Sequence, residues 1–179
     1  QMCIRDSLFS YVDGFEISGL KVQKTHSWGI VLTNGCKNGH VGNLELHTTV
    51  KNGDGVSIIQ GGSDILIENI TGETSDDSII LAAFDESRWS NNKYVFPLLP
   101  VRYSDYSYGG DIHDITCRNI ETSGIHHVMI LLPSQPKIYN IYCSNISDGP
   151  KGGKRKVMRI YGNGQYGQGF KPGNMYNIY

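Results

Sequence analysis

Alanine, the best helix former, is almost missing from this sequence, which contains only Ala82 and Ala83. Residues that favour turns and strands are abundant instead, with 22 glycines and 11 tyrosines. Long helices are therefore not expected. The 179 residues suffice for one domain with a sizeable hydrophobic core. We expect an all-β fold.

Charge of either sign is also scarce. Asp, Glu, Lys and Arg together make up 18% of the residues, and the formal net charge is -1. This balance argues against a basic nucleic-acid binder and against a highly charged, disordered chain. The sequence has no run of 18 apolar residues, so we expect no transmembrane helix. Neither a nucleic acid nor a membrane is predicted as a partner.

Cysteine is too sparse and too irregularly spaced for a disulfide framework. Of the four cysteines, Cys3 lies in residues 1–7, QMCIRDS, which have no strand periodicity and which we interpret as a non-native artefact. The other three form no C-x-x-C pair and no zinc spacing, so no metal is expected. Residues 8–179 then form one domain. Because residues 175–179 stop within a recurring strand pattern, we expect this domain to be partial.

An internal repeat is the most informative feature of the sequence. Three segments superpose without a gap: DILIENI at 64–70, DITCRNI at 114–120 and NIYCSNI at 140–146. With three looser copies included, the first apolar positions are 15, 39, 65, 115, 141 and 178, at intervals of 24, 26, 50, 26 and 37. Repeats of this period are typical of solenoids.

A second short strand follows each copy after a turn, as at 28–32, 56–58 and 128–130. These strands alternate with period two, are interrupted by Gly and Asn, and have no helical pattern between them. The pattern predicts a parallel β-helix, in which each turn of chain hydrogen-bonds to the next at about 4.8 Å.

This fold predicts that equivalent residues of successive copies stack on one another. Cys117 and Cys143 should lie one above the other as small buried hydrophobic residues rather than as a disulfide. Asn69, Asn119 and Asn145 should form a structural ladder at a corner, because Asn tolerates the left-handed conformation and its amide can bond the copies on either side.

The doubled interval of 50 residues indicates a loop insertion at 84–110. Between Phe84 and Gly110 the chain has six aromatic residues, two prolines and almost no strand alternation. Loops of this length are usually functional or disordered, and the aromatic content argues against disorder. We interpret the insertion as one wall of a groove, with the alternative that it only covers the side of the solenoid.

A column of polar residues is predicted just before the second strand of successive turns. Asp54, Asp76 and Asp77 should converge there at about the spacing of the turns. Carboxylates at such distances raise one another's pKa. One protonated carboxyl group and one ionised carboxylate are what glycosidic bond hydrolysis needs as acid and base. Turn preference explains any single Asp, but not the shared register.

The segments of this column are NGD at 52–54, SDD at 75–77, IHH at 125–127 and RIY at 159–161. They resemble the N-T-D, G-D-D, G-H-G and R-I-K segments of the family 28 glycoside hydrolases, the polygalacturonase group. The resemblance covers residues 26–179 without the insertion. It implies a right-handed parallel β-helix and an inverting hydrolase of a pectin-related or other polysaccharide that needs no cofactor.

Carried over by position, the resemblance implies a role for each residue of the column. Asp77 would be the general acid, while Asp54 and Asp76 would hold and activate the attacking water. His126 would support protonation of the acid, and Arg159 would bind the sugar. An inverting mechanism leaves room for this water between carboxyl groups about 6.5–9.5 Å apart.

Two positions depart from the family pattern or compete with it. Tyr161 stands where polygalacturonases have the Lys that meets a uronate, and a tyrosine suits stacking on a neutral sugar ring. His127 is predicted to contact the substrate and is also a second candidate for the imidazole role, because strand alternation aligns it with Asp77 about as well as the motif aligns His126. The basic run at 151–156 is interpreted as a solvated loop.

Two other functions fit the same scaffold. A polysaccharide lyase would use calcium and a basic residue, whereas an adhesin or phage tail spike would bind glycans without chemistry. In each case we expect a monomer. A polysaccharide substrate further predicts a secreted or periplasmic location, because such polymers are met outside the cytoplasm.

Overall fold

The computed structural model describes residues 7–84, 110–160 and 170–179. Within these ranges the chain is all-β, as predicted, and no helix is long and apolar enough to cross a membrane. The strands are β1 (Ser7–Ser10), β2 (Asp13–Ser18), β3 (Lys21–Gln23), β4 (Ile30–Thr33), β5 (Cys36–Thr48), β6 (Val56–Ile59), β7 (Gly62–Thr74), β8 (Ile79–Ala83), β9 (Ile112–Gly124), β10 (His127–Pro133), β11 (Ile138–Asp148), β12 (Lys156–Ile160) and β13 (Met175–Ile178).

The strands form two parallel sheets. One has six strands in the order β1-β4-β6-β8-β10-β12, and the other has seven in the order β13-β11-β9-β7-β5-β2, with β3 also paired to β5. From β4 to β13, consecutive strands belong to different sheets. Within each sheet, a strand from β6 to β11 therefore pairs with the strand two places before it and the strand two places after it in chain order. This pairing brings residues from separate repeats side by side.

The predicted register of the repeats is confirmed at every described copy. The positions identified as the first apolar slot are partners across adjacent strands of the seven-stranded sheet. They are Phe15, Gly39, Ile65, Ile115, Ile141 and Ile178, each paired with the next. Side chains from both sheets join in one apolar core, which holds the two sheets together.

The predicted stacks of Cys and Asn are also present. Cys117 and Cys143 are partners in register and are free thiols, and only Cys117 is fully buried as predicted, whereas Cys143 is half-buried. Asn69, Asn119 and Asn145 all have φ between 52° and 55°. Their amides form a chain, since Asn119 Nδ2 donates to Asn69 Oδ1 at 3.1 Å and Asn145 Nδ2 donates to Asn119 Oδ1 at 3.0 Å. These side chains stabilise the left-handed corners.

The six-stranded sheet has a second apolar cluster on the face opposite the core. Val31, Ile80 and Ile130 belong to it and alternate along their strands with core residues such as Leu81. The sequence analysis did not predict this cluster. Most of the insertion predicted at 84–110 lies outside the described residues, so its role as a groove wall stays a prediction.

Replacing Asn119 by alanine should lower the free energy of unfolding by about 2 kcal/mol, because alanine loses two amide hydrogen bonds and is strained at positive φ. Asn119→Gly is the matched control, since glycine loses the same bonds without the strain. Urea unfolding of the three proteins measures both terms. Equal stability of the alanine variant and the wild type would contradict a stabilising role for the ladder.

Candidate functional site

The candidate site lies at one edge of the six-stranded sheet, where β6, β8 and β10 begin. Asp54 lies two residues before β6, Asp77 lies two residues before β8, and His127 opens β10. The parallel pairing continues into these turns, because the Gly55 N–H donates to the Asp77 carbonyl oxygen and the Ser78 N–H donates to the His127 carbonyl oxygen, both at 3.0 Å. Residues from separate turns of chain therefore meet at this edge.

A tight turn before β6 positions Asp54. Asn52 has φ of 55°, and a Cβ atom on Gly53 would collide with the Thr48 carbonyl oxygen. The Thr48 hydroxyl in turn donates to the Gly53 carbonyl oxygen at 2.9 Å. Asn52 and Gly53 thus let the chain turn tightly against the end of β5. This turn directs the Asp54 side chain toward Asp77 in the next repeat.

The structure brings the three predicted aspartates together. One carboxylate oxygen from each of Asp54, Asp76 and Asp77 lies within 4.8 Å of one from each of the others. Asp54 is buried, with 3% of its surface exposed, while the side chains of Asp76 and Asp77 are 25% and 11% exposed. The cluster therefore has a closed side at Asp54 and a more open side at Asp76.

This spacing differs from the one expected for an inverting pair. The separation of nearest oxygens, at most 4.8 Å, is shorter than the about 6.5–9.5 Å between carboxyl groups that leaves room for a water between them. The three side chains are crowded together at this partly buried edge of the sheet, and this crowding accounts for the short separation. The geometry thus gives no support to the inverting course that the resemblance implies.

The two imidazoles contact different aspartates. Asp77 Oδ1 accepts the backbone N–H of His127 at 3.0 Å and lies 2.6 Å from His127 Nδ1. His126 Nδ1 lies 3.6 Å from Asp76 Oδ1. Asp54 Oδ1 accepts the Asp77 N–H at 3.1 Å. The direct partner of Asp77 is therefore His127, the second candidate, and His126 belongs with Asp76.

The burial of His127 also changes its predicted role. His127 is 3% exposed and its Nδ1 is in contact with Asp77. Little of the His127 surface is open to a substrate, so the structure favours the imidazole role beside Asp77 over substrate binding for this residue. His126, with 38% of its side chain exposed, is the imidazole that a ligand could reach.

Burial and mutual repulsion hold protons in the cluster. Burial raises the pKa of Asp54 well above its ordinary value of 3.8, and the charges of Asp76 and Asp77 raise it further. The pKa of Asp76 is raised by burial and by Asp77, with a partial offset from His126. These two carboxyl groups therefore stay protonated at pH values where a free aspartate is already ionised.

Arg159 lies outside the column in which the sequence analysis placed it. In the pairing of β10 with β12, His127 aligns with Lys156, and Arg159 aligns with Ile130. The predicted register of this segment is wrong by three residues, which is about 10 Å along a strand. Tyr161, the predicted stacking residue, lies outside the described residues.

Lys154 is a member of the site that the sequence analysis missed. Its Nζ donates to Thr74 Oγ1 at 2.6 Å and to the Asp76 carbonyl oxygen at 2.9 Å. The interpretation of 151–156 as a solvated loop is therefore wrong at this residue. A signal was available, because aligning Val128-Met129 with Val157-Met158 places Lys154 opposite Ile125, at the edge where the site lies.

Two overlapping sets of side chains have the donor atoms to hold a cation. Asp54, Asp76 and Asp77 form one set, and Asp77 with His126 and His127 forms the other. Carboxylate oxygens suit Ca²⁺ or Mg²⁺, whereas imidazole nitrogens suit transition metals. The ammonium group of Lys154 beside Asp76 opposes a cation in the all-carboxylate set.

Known proteins do not identify the chain. No protein-family model, curated protein or solved structure matches it. The resemblance to family 28 glycoside hydrolases thus remains limited to the short segments at 52–54, 75–77, 125–127 and 159–161. What the site can do follows from its distances, its burial and its charges.

Asp54→Asn should stabilise the protein at neutral pH by about 1–3 kcal/mol, because the buried carboxylate loses its unfavourable charge while the amide oxygen still accepts the Asp77 N–H. The folded-state pKa of Asp54 is raised, so the native state binds more protons than the unfolded state above pH 3.8. Stability contributed by the protonated Asp54 is therefore lost as pH rises.

Urea unfolding from pH 4 to pH 8 measures this effect as the difference between wild type and Asp54→Asn. The difference should be small at pH 4 and should grow toward pH 8. Asp13→Asn serves as the control for an exposed carboxylate, whose pKa is lowered by Asn38 and Lys37. A pH-independent difference for Asp54→Asn would show that its charge has no energetic effect.

Proposed function

We propose that the chain winds as a right-handed parallel β-helix and that its acidic cluster hydrolyses glycosidic bonds of a pectin-related or other polysaccharide. The alternation of parallel strands between two sheets supports the winding. Right-handedness is supported by the strong preference of parallel crossover connections for that hand.

One observation carries the enzymatic proposal. Asp54 comes from one turn of chain and Asp76 and Asp77 come from the next, yet their oxygens lie within 4.8 Å of one another. A stable fold gains little from crowding three carboxyl groups at a partly buried edge, because each ionisation opposes the next. Perturbed carboxyl groups beside imidazoles are typical of catalytic sites, and acid and base are the two groups that glycoside hydrolysis requires.

Asp76 is the better placed acid in this proposal. The resemblance assigns that role to Asp77, but Asp77 Oδ1 already accepts from His127 and only 11% of the Asp77 side chain is exposed. The Asp76 side chain is 25% exposed and the pKa of Asp76 is raised. A protonated Asp76 donates its proton to the glycosidic oxygen, and the leaving sugar departs as an alcohol.

Asp77 serves as the base that activates water. Its contact with His127 keeps its carboxylate oriented, and Asp54 holds the Asp77 backbone through the N–H. Water adds to the anomeric carbon as the glycosidic bond breaks and gives its proton to Asp77, so one water is consumed for each bond broken. This single displacement is the inverting course, and it requires the acid and the base to lie further apart in the substrate complex than they do here. Arg159 and Tyr161 remain proposed contacts of the sugar beyond the cluster.

A glycan-binding protein without catalysis is the second candidate. Exposed aromatic rings on the seven-stranded sheet favour it, because Tyr142 and Tyr179 stack at 5.3 Å and are 46% and 65% exposed. Tyr139 and Tyr176 form a parallel stack at 4.9 Å. Aromatic surfaces of this kind suit sugar rings, and they lie on the sheet that does not carry the acidic cluster.

Asp76→Asn and Asp77→Asn should each lower turnover by at least about 100-fold, because each removes a proton donor or acceptor of the reaction. Release of reducing ends from a panel of pectic and neutral glycans measures the loss. Glu45→Gln is the matched control, since Glu45 is an exposed carboxylate paired with Lys21 at 3.0 Å away from the cluster.

Unchanged turnover of both variants on every substrate that the wild type cleaves would reject the proposal. Products with the ultraviolet absorbance of unsaturated uronates would identify a lyase instead. Glycan binding that survives both substitutions, with no bond cleavage by the wild type, would favour the non-catalytic candidate.

A further inference from the structure

Lys154 is fixed in place by the loop that carries it. The Lys151 N–H donates to Ser123 Oγ at 3.1 Å, and the Arg155 N–H donates to the His126 carbonyl oxygen at 2.7 Å. Gly153 has φ of 96°, and a Cβ atom there would lie 2.6 Å from the Gly124 carbonyl oxygen. The backbone on both sides of Lys154 is thus bound to the preceding turn of chain.

The Lys154 side chain extends beyond the segment that binds its backbone and reaches the segment of the repeat before that one, at Thr74 and Asp76. Its two acceptors, Thr74 Oγ1 and the Asp76 carbonyl oxygen, lie 80 and 78 residues away in the chain. Thr74 Oγ1 also donates to the Asp76 carbonyl oxygen at 2.8 Å, and it shares a 2.9 Å hydrogen bond with Ser78 Oγ. Lys154 is therefore part of the hydrogen-bond network that holds the backbone carrying Asp76 and Asp77.

The charges of four carboxyl groups act on this ammonium group. Asp54, Asp76, Asp77 and Asp148 all favour its charged form. Asp148 Oδ2 also accepts the Lys154 N–H at 3.3 Å. Burial acts in the opposite direction and is the larger effect, so the pKa of Lys154 falls from 10.5 to about 8.

The remaining charged groups near the loop lie further out. Glu73 from β7 pairs with Lys151 at 2.8 Å, while Arg155 and Lys156 are exposed. His126 and His127 contact the cluster through Asp76 and Asp77. Lys154 thus brings an ammonium group to the side of the cluster formed by β7 and β11, and the imidazoles contact the cluster from the side of β10.

We propose that Lys154 is a positioning residue of the acidic cluster: it anchors the backbone of Asp76 and offsets the charge of Asp54, Asp76 and Asp77, so that the cluster exchanges its proton within the working pH range. This role deepens the proposed hydrolase function and rests on it for its biological meaning. Without the ammonium group, Asp54 and Asp76 would hold their protons to higher pH, because the charge of Lys154 lowers the pKa of both.

The test follows the Asp side chains directly by carbon NMR of protein labelled at the Asp carboxyl groups. In Lys154→Met, the midpoints of Asp54 and Asp76 should rise by about one pH unit. Lys154→Arg retains the charge and should leave them close to wild type. Lys151→Met is the matched control from the same loop, and it should have no effect, because Lys151 pairs with Glu73 at the surface.

Midpoints in Lys154→Met that equal those in Lys151→Met would overturn the proposal. If Lys154→Met does not fold, the wild type decides the question alone. The Lys154 ammonium should then lose its proton near pH 8, and the Asp76 signal should move in the same step. A Lys154 midpoint near 10.5, with no response of Asp76, would contradict the role.

A second measurement separates this proposal from the hydrolase function. In an active protein, the alkaline side of the pH profile of kcat, where the general acid Asp76 loses its proton, should move upward in Lys154→Met by the same amount as the NMR midpoint of Asp76, which a purely structural role would not produce. If the midpoints shift but no glycan is cleaved by the wild type, the positioning role stands and the hydrolase proposal fails.

Discussion

Backbone pairing between consecutive turns of chain is the constraint on which the rest of the structure depends. Hydrogen bonds between parallel strands align β6, β8 and β10, and the same pairing continues into the turns before them. This continuation places Asp54, Asp77 and His127 side by side, although 23 and 50 residues of chain separate them. A slip of one residue in any of these strands would point its side chains to the opposite face and separate the cluster.

Charge and burial then act against each other within the cluster. Burial favours neutral forms of Asp54, Asp76 and Lys154, whereas the attraction between the aspartates and Lys154 favours charged ones. Burial is the larger effect on each of these three groups, and the charges of their neighbours act beside it, so the titration of each group depends on the others. Such a balance is what acid–base chemistry near neutral pH requires.

The repeat carries most of the information that the sequence contains about the fold. Composition predicts the all-β class, and the spacing predicts the register of the six copies, the Cys stack and the Asn ladder, because a parallel ladder repeats its geometry at every step. It also predicts that Asp54, Asp76 and Asp77 meet. Side-chain packing and one short loop decide the other features of the site. These features are the imidazole that contacts Asp77, the position of Arg159 along its strand, and the groups that Lys154 contacts. Repeat spacing carries no information on those features.

The pairing of two strands does not depend on the number of residues between them, and this independence has a further consequence. Ile65 and Ile115 are partners although the interval between them is 50 residues, while Ile115 and Ile141 are partners across 26. The ladder therefore tolerates extra chain between two of its steps without disturbing the residues on either side. The segment at such a step can therefore change in length and sequence without moving Asp54, Asp77 or His127 out of alignment.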